Sequence, residues 1–442
     1  MSLEKTYFIE TFGCQMNKND SELMSLSMRE HGFDRADDAA AADIVVYNTC
    51  SVREHAENRV LSRIRSLRKT MQGAGRIVVV AGCMAQRLGG KLIETGIADM
   101  AVGPYQSPEI GRLIRQYLTG RSRDRFLSQE VKDLSSRINL RLVHAEGGPE
   151  WHRWITITHG CGNNCSYCIV PLVRGRLVSY ESSAVLDYIR SLAAGGTREI
   201  TLLGQNVNQY GADSGDIPFH ALLERAACIR GIERVNFLTS HPKDFSEDIL
   251  LVIRDHPNIS RSIHLPLQSG ADRILGLMNR GYTLARYLFL AELIDKHLPA
   301  HSLSTDIIVG FPGETGAEFE QTLSVMERVR FDDAYTYAYS PRAGTAACAA
   351  AETIPPRERL SRLKRLIDLQ RGISRQKLNE RIDRVEEAII ERLSRKSGEE
   401  VMGRTFLNHV VITPGTRQDI GKKFKVRIHG VSGTALRGMK IA

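Results

Sequence analysis

Trp154-Ile155-Thr156-Ile157-Thr158-His159-Gly160-Cys161-Gly162-Asn163-Asn164-Cys165-Ser166-Tyr167-Cys168 decides the central fold. Residues 154–158 read as a strand, and a C-x3-C-x2-C run follows it closely. A parallel strand delivers the loop after it to the carboxyl rim of its sheet, where ligand sites gather. Three thiols there are one short of the four that close a four-iron cluster, so one iron would stay open to an outside ligand. The rival reading is a structural zinc loop, which usually wants a fourth Cys or His as part of a second pair. Strand-like runs recur at residues 199–203, 234–239, 262–267, 304–309 and 334–339. Helical patterns fill the gaps, at 182–194, 219–229, 246–255, 284–297 and 316–329. Six βα units predict a parallel, partial (β/α)6 barrel.

Towards the N-terminus the same alternation occurs on a smaller scale. Strands are expected at 7–12, 43–47, 76–81 and 99–102, and helices at 19–31, 52–71, 86–94 and 107–118. The run 76–81 is nearly all apolar, as a strand covered on both faces should be. This is a small doubly wound α/β domain. Cys14, Cys50 and Cys83 each stand just past the carboxyl end of one of its strands. In a parallel sheet all three emerge on one rim and can converge. The competing fate is simple burial, common for cysteine. Three thiols without a fourth again imply a cluster with one open iron. Cys228 lies in an apolar helical pattern and reads as core; Cys348 receives no role.

Towards the C-terminus, Pro355-Pro356 breaks the chain and a basic helical segment runs from 357 to about 380. Short strand-like runs at 385–392, 400–404, 410–413, 424–429 and 435–441 then predict a small β-barrel. Of the 442 residues, those from 357 onward hold 21 Lys and Arg against 10 Asp and Glu. The preceding 356 hold 39 against 41, so the whole net charge of +9 comes from the C-terminal fifth. Such a block suggests a polyanion partner. The expected division is 1–120, a linker at 121–149, 150–375 and 376–442. No apolar run approaches the roughly 18 residues of a membrane span. The first residues lack a signal-peptide layout, and a cytoplasmic location is expected. In that compartment eight cysteines point to metal binding or catalysis rather than disulfides.

The octapeptide 161–168 resembles the signature of the radical S-adenosylmethionine (SAM) superfamily, Tyr167 before the third cysteine included. Over nearly its full length the chain is similar to the methylthiotransferases, and within them to the MiaB type. The carrying residues are Thr11-Phe12-Gly13-Cys14-Gln15-Met16-Asn17, Asn48-Thr49-Cys50-Ser51-Val52-Arg53 and Gly82-Cys83. With them go residues 202–208, Thr239-Ser240-His241-Pro242, residues 264–270 and residues 306–315. The Gly-Cys-Gln-Met-Asn run separates the chain from relatives that modify a ribosomal protein or threonylcarbamoyl-adenosine. The C-terminal barrel resembles a TRAM domain, an RNA-binding module, through Gly403-Arg404-Thr405 and Leu436-Arg437-Gly438.

The resemblance implies a radical SAM domain in the centre and two 4Fe-4S clusters. One is held by Cys161, Cys165 and Cys168, with SAM on its open iron; the auxiliary one is held by Cys14, Cys50 and Cys83. These six are the expected catalytic and metal-ligating residues. A methyl group from one SAM would reach a sulfur on the auxiliary cluster. A second SAM, cleaved reductively to an adenosyl radical, would abstract hydrogen from C2 of N6-isopentenyladenosine at tRNA position 37, beside the anticodon. The methylthio group would then transfer to that carbon. An electron donor and a sulfur source are implied partners. Strand ends offer Tyr167, Gln205, Asn206, Ser240, Gln268 and Asp306 for cofactor binding, with His241 and His264 nearby. Arg404, Lys422, Lys423, Lys425, Arg427 and Arg437 are candidates for RNA phosphates, and Phe406 for a base or for the barrel core. Residues 310–314 read as a βα turn. The alternatives are the same chemistry on another tRNA adenosine or a ribosomal protein, or a non-catalytic, zinc-containing RNA-binding protein.

Overall fold

Strands buried at every position build the centre of the first sheet, because helices cover both of its faces. The computed structural model describes residues 5–51, 54–70, 75–120, 125–127, 151–350, 354–395 and 397–441. The N-terminal sheet comprises β1 (Lys5–Thr11), β2 (Phe33–Arg35), β3 (Ile44–Thr49), β4 (Ile77–Gly82), β5 (Met100–Val102) and β6 (Phe126–Leu127). They are parallel throughout, in the order β2-β1-β3-β4-β5-β6. Met24 and Met28 of helix Gln15–Glu30 and Ile114 of helix Ile110–Leu118 pack on one face. Val60 and Ile64 of helix Glu54–Thr70 and Met84 and Leu92 of helix Cys83–Glu94 pack on the other. The expected doubly wound unit is therefore present. Two residues of the expected linker, Phe126 and Leu127, form its last strand. A two-residue edge strand carries no readable period. Apart from 125–127, the expected linker at 121–149 lies outside the described residues.

The centre contains β7 (His152–Thr156), β8 (Thr158–His159), β9 (Val178–Ser179), β10 (Glu199–Leu203), β11 (Arg234–Phe237), β12 (Ser262–His264), β13 (Ser302–Val309) and β14 (Asp333–Ala338). Sheets β11-β10-β7 and β12-β13-β14 are parallel, and a bridge from Val235 to Ile259 joins them into an arc of six. Its apolar interior, with Ile200, Leu202, Val235, Ile263 and Ile307 among its members, forms one continuous core with the surrounding helices. The expected run 154–158 divides after Thr156. Thr158 and His159 pair instead with Val178 and Ser179 in an antiparallel ribbon, which turns the chain into the cysteine loop.

The last five strands, β15 (Val385–Leu393), β16 (Glu400–Thr405), β17 (Val410–Pro414), β18 (Lys423–Ser432) and β19 (Ala435–Ile441), close a barrel. Side chains alternate across each strand, so Val426 and Ile428 fill the interior while Lys423, Lys425 and Arg427 face out. Gly403 allows β16 to cross β15, since a Cβ there would lie 2.3 Å from the Ile389 carbonyl oxygen. Two sequence expectations are corrected. Cys228 is exposed, because its helix ends at Ala227 and the buried stripe runs through Phe219, Leu222, Leu223 and Ala226. Phe406 is no barrel-core residue; its ring lies between the cationic groups of Arg234 and Lys423, at 5.4 and 5.9 Å. Among the described residues no helix is long and apolar enough to cross a membrane.

The barrel is docked on the arc by buried polar contacts. Arg234 of β11 donates to the carbonyl oxygens of Arg404 and Thr405, both at 3.1 Å, and to Glu199 of β10 at 2.8 Å. Asp332 accepts from Lys377 of helix Pro356–Asn379 at 2.5 Å and lies 3.4 Å from His409 of the barrel. Arg234 and Glu199 are both buried, and breaking such a pair from one side costs about 3–5 kcal/mol. Arg234→Ala should therefore loosen the barrel before the rest of the chain. Limited proteolysis would show earlier cutting between residues 380 and 441, and calorimetry a new low-temperature transition.

Candidate active site

Cys14, Cys50 and Cys83 follow β1, β3 and β4, three neighbouring strands. The strand order reverses between β1 and β3, so the site lies at the sheet's switch point, where open α/β sheets bind ligands. Two glycines permit the approach. Gly13 has φ +112°, and a Cβ there would come within 2.4 Å of Cys50 Cβ. Gly82 has φ +87°, and its Cβ would strike the Thr49 carbonyl at 2.6 Å. Asn17 ties the loops together, donating from Nδ2 to the carbonyls of Phe12 and Thr49, each at 2.9 Å. Asn48 donates in return to the Asn17 carbonyl at 2.7 Å.

Two of the three thiols sit at helix starts. Cys14 is the N-cap of helix Gln15–Glu30, and Cys83 opens helix Cys83–Glu94. Helix N-termini favour thiolate. The Cys14 thiol is drawn down to about 6, chiefly by a hydrogen bond with Cys50 and further by Arg174, against the opposing effect of packing. Burial pushes Cys83 the other way. Around the trio several buried polar atoms lack a hydrogen-bond partner: Gln15 Oε1, Ser51 Oγ, Gln86 Oε1 and one terminal nitrogen of Arg174.

The second trio lies in the loop between β8 and helix Val170–Arg174. The Gly162 amide donates to Gln209 Oε1 at 3.0 Å, and Asn279 donates to the Asn164 carbonyl at 2.7 Å. Asp244 accepts from Asn163 at 2.9 Å and from Asn206 at 2.7 Å. Arg280, almost wholly buried, reaches Cys165 Sγ at 3.2 Å and the Tyr167 hydroxyl at 3.3 Å. His241 Nε2 lies 3.9 Å from the same sulfur. Burial, Arg280 and Lys243 hold His241 neutral, at about 2. Burial pushes Cys168 up to about 12 and raises Cys161 as well.

Beside this loop opens a cavity of about 910 Å³, lined by Tyr167, Cys168, Thr239, Gln268 and Asp306, by Leu360 of the long helix and by Asn408 of the barrel. Three of the six expected cofactor residues thus line it: Tyr167, Gln268 and Asp306. Thr239 and Gln268 hold φ of +73° and +72°, a costly conformation for residues with a side chain, and one concentrated at functional sites. Gln268 Oε1 is buried without a partner, as are Ser240 Oγ and Asn206 Oδ1. Gln205 turns its amide nitrogen to the sulfur of Met16 instead. His264 lies 3.4 Å from Asp306.

The basic residues of the barrel divide into two groups. Arg404 pairs with Glu391 at 3.3 Å, Lys423 with Glu387 at 3.7 Å, and Arg437 with Glu400. Lys422, Lys425 and Arg427 form no ion pair with the described residues, and Lys425 and Arg427 stand side by side on the outer face of β18.

Residues 6–103 match the family described as "Uncharacterized protein family UPF0004", residues 155–326 the radical SAM superfamily and residues 381–441 the TRAM domain. A protein of Geobacter metallireducens named "tRNA-2-methylthio-N(6)-dimethylallyladenosine synthase" is 40% identical over 97% of this chain and 96% of its own length. One of the same name from Moorella thermoacetica is 38% identical over 98% of each. The chain belongs to this MiaB-type methylthiotransferase family. Among solved structures, the radical SAM methyltransferase TsrM from Kitasatospora setae, with cobalamin and a 4Fe-4S cluster bound, gives a TM-score of 0.57. It covers 78% of this chain and 74% of its own, and at 13% identity the likeness is one of fold.

The residues present suit the two clusters expected of this methylthiotransferase family. All six thiols are free of disulfides. Among the described residues no group of three or more His, Cys, Asp or Glu closes on a point suited to one metal ion. Thiols that grip separate corners of a cluster need no such point.

Sequence reasoning missed Arg174, Asp244 and Arg280, each of which acts across a large separation in the chain, so no local spacing marks it. Asn17 and Asn48 stood in the quoted motifs but were given no role. In cluster-free protein, iodoacetamide should label exposed Cys14 first. Because its thiolate is present above about pH 6, the rate should climb through that pH and then level off. Peptide mass spectrometry would check this; a rate still rising through pH 8.5, as for an ordinary thiol, contradicts it.

Proposed function

We propose that the chain exchanges the C2 hydrogen of N6-isopentenyladenosine at tRNA position 37 for a methylthio group, giving 2-methylthio-N6-isopentenyladenosine. One observation carries this reading: two separate thiol trios, each at the carboxyl rim of a parallel sheet, in a chain similar over nearly its full length to synthases of that name. The shared name of those relatives favours tRNA over a ribosomal protein.

Cys161, Cys165 and Cys168 would hold one cluster and Cys14, Cys50 and Cys83 the other; once reduced by an outside donor, they would pass on the electron and offer the open irons that activate SAM and carry sulfur. The chain's own residues bind and orient. Gln268, Ser240 and Asn206 offer unspent acceptors for the ribose, adenine or methionyl groups of SAM. Asp306 and Tyr167 face the same cavity. Arg280 holds Cys165 and keeps positive charge beside it. The reaction is at an unactivated carbon, and positioning is the protein's main contribution. Lys422, Lys425 and Arg427 take tRNA phosphates, while Arg404, Lys423 and Arg437 do so only by giving up an internal carboxylate. A soluble electron donor and a sulfur source complete the reaction in the cytoplasm.

Anaerobically loaded protein should carry about eight irons per chain and form the product on isopentenylated tRNA, read by nucleoside mass spectrometry. Replacing Cys14, Cys50 and Cys83 together with Ala should abolish the product and spare SAM cleavage. Loss of both sinks the division of labour, and a colourless zinc protein sinks the whole reading. Lys425→Ala and Arg427→Ala should each flatten the slope of log affinity against log salt by roughly 0.7–0.9, measured by filter binding.

A further inference from the structure

Helix Val170–Arg174 begins two residues after Cys168 and ends on a side chain that leaves its own domain. Arg174 is 2% exposed. Its Nε donates to Cys83 Sγ at 3.3 Å, and one terminal nitrogen donates to Asp20 at 2.8 Å and to Asn17 Oδ1 at 3.4 Å. The other terminal nitrogen is buried without a partner. The backbone here is equally constrained. The Arg174 carbonyl accepts from the Tyr105 hydroxyl of the N-terminal domain. A Cβ on Gly160, at φ +63°, would lie 2.6 Å from the same carbonyl oxygen. Ile169 and Val173, on the same short segment, pack against Cys83.

A domain pin alone would need only the pair with Asp20. An unspent donor in a dry site costs free energy unless something accepts from it. It lies on a guanidinium already bonded to a thiol, beside Cys14 and Cys83.

We propose that Arg174, lent by the central domain, is the positioning cation of the N-terminal thiol site. It anchors Cys83 and keeps the two N–H groups of one terminal nitrogen for the sulfur-bearing group bound there. This rests on the reading that Cys14, Cys50 and Cys83 hold an iron–sulfur cluster. Asp20, the opposing charge, fixes the guanidinium and tempers its field. The two trios are thus coupled through six residues of chain, from Cys168 to Arg174, a rise of roughly 9 Å if all helical.

The test uses the full chain with Cys161, Cys165 and Cys168 replaced by Ala, which leaves one cluster site, loaded anaerobically with iron and sulfide. Iron per chain is counted, and the reduction midpoint is followed by electron paramagnetic resonance. Arg174→Gln removes a positive charge, so the more negative reduced form should become harder to reach. The midpoint should fall by at least tenfold in the reduction equilibrium, 59 mV for one electron. Arg174→Lys should recover most of this shift. Asp20→Asn should move the midpoint upward. Should Arg174→Gln fail to fold, the Asp20→Asn shift decides alone: upward supports the proposal, and no movement overturns it. Full iron with unchanged midpoints in Arg174→Gln and Asp20→Asn leaves Arg174 a domain pin and overturns it. A parent protein that takes up no iron removes the cluster reading first, and this proposal with it.

Discussion

A parallel strand hands whatever follows it to one rim of its sheet, and both cysteine trios depend on that constraint. In the N-terminal domain three adjacent strands each deliver a cysteine to the rim, and glycines at 13 and 82 let the loops touch. In the centre a single loop supplies all three thiols, and the neighbouring strand ends supply the polar groups around them. The same rule therefore makes two sites by different routes. One gathers ligands from distant parts of the chain, and the other from eight consecutive residues.

Thiolates crowded into low-dielectric surroundings need compensation, and each site has a buried arginine, Arg174 or Arg280, within hydrogen-bonding distance of a sulfur. Neither arginine comes from the segment that carries the cysteine it touches. The barrel shows the opposite economy. Three of its basic side chains are paired internally with Glu387, Glu391 and Glu400, so the count of Lys and Arg overstates how many are left for a polyanion.

Much of this was legible in the sequence because period and punctuation agreed. The doubly wound domain, the six βα units and the five-stranded barrel all follow from alternation of apolar runs. The C-x3-C-x2-C spacing marked one trio, and position just past three strand ends marked the other. What escaped lay where local pattern carries no information. The helices after Cys14 and at Cys83 start earlier than expected, at residues 15 and 83; for the first, its N-cap Cys14 is not among the usual capping residues. The strand at 126–127 was too short to show alternation. Cys228 was misread because an apolar neighbourhood in sequence hides which way a residue past the helix end will face. Phe406 needed knowledge of Arg234, 172 positions earlier in the chain.

The barrel's docking has a consequence for the cavity. Asn408 belongs to the barrel yet forms part of the cavity wall beside Cys168, and Asp332 is gripped from the long helix and the barrel together. The TRAM barrel is therefore tied to the central domain on two sides. The barrel's seating on the arc and the shape of the cavity beside Cys168 are not independent: a shift of one redraws the wall of the other.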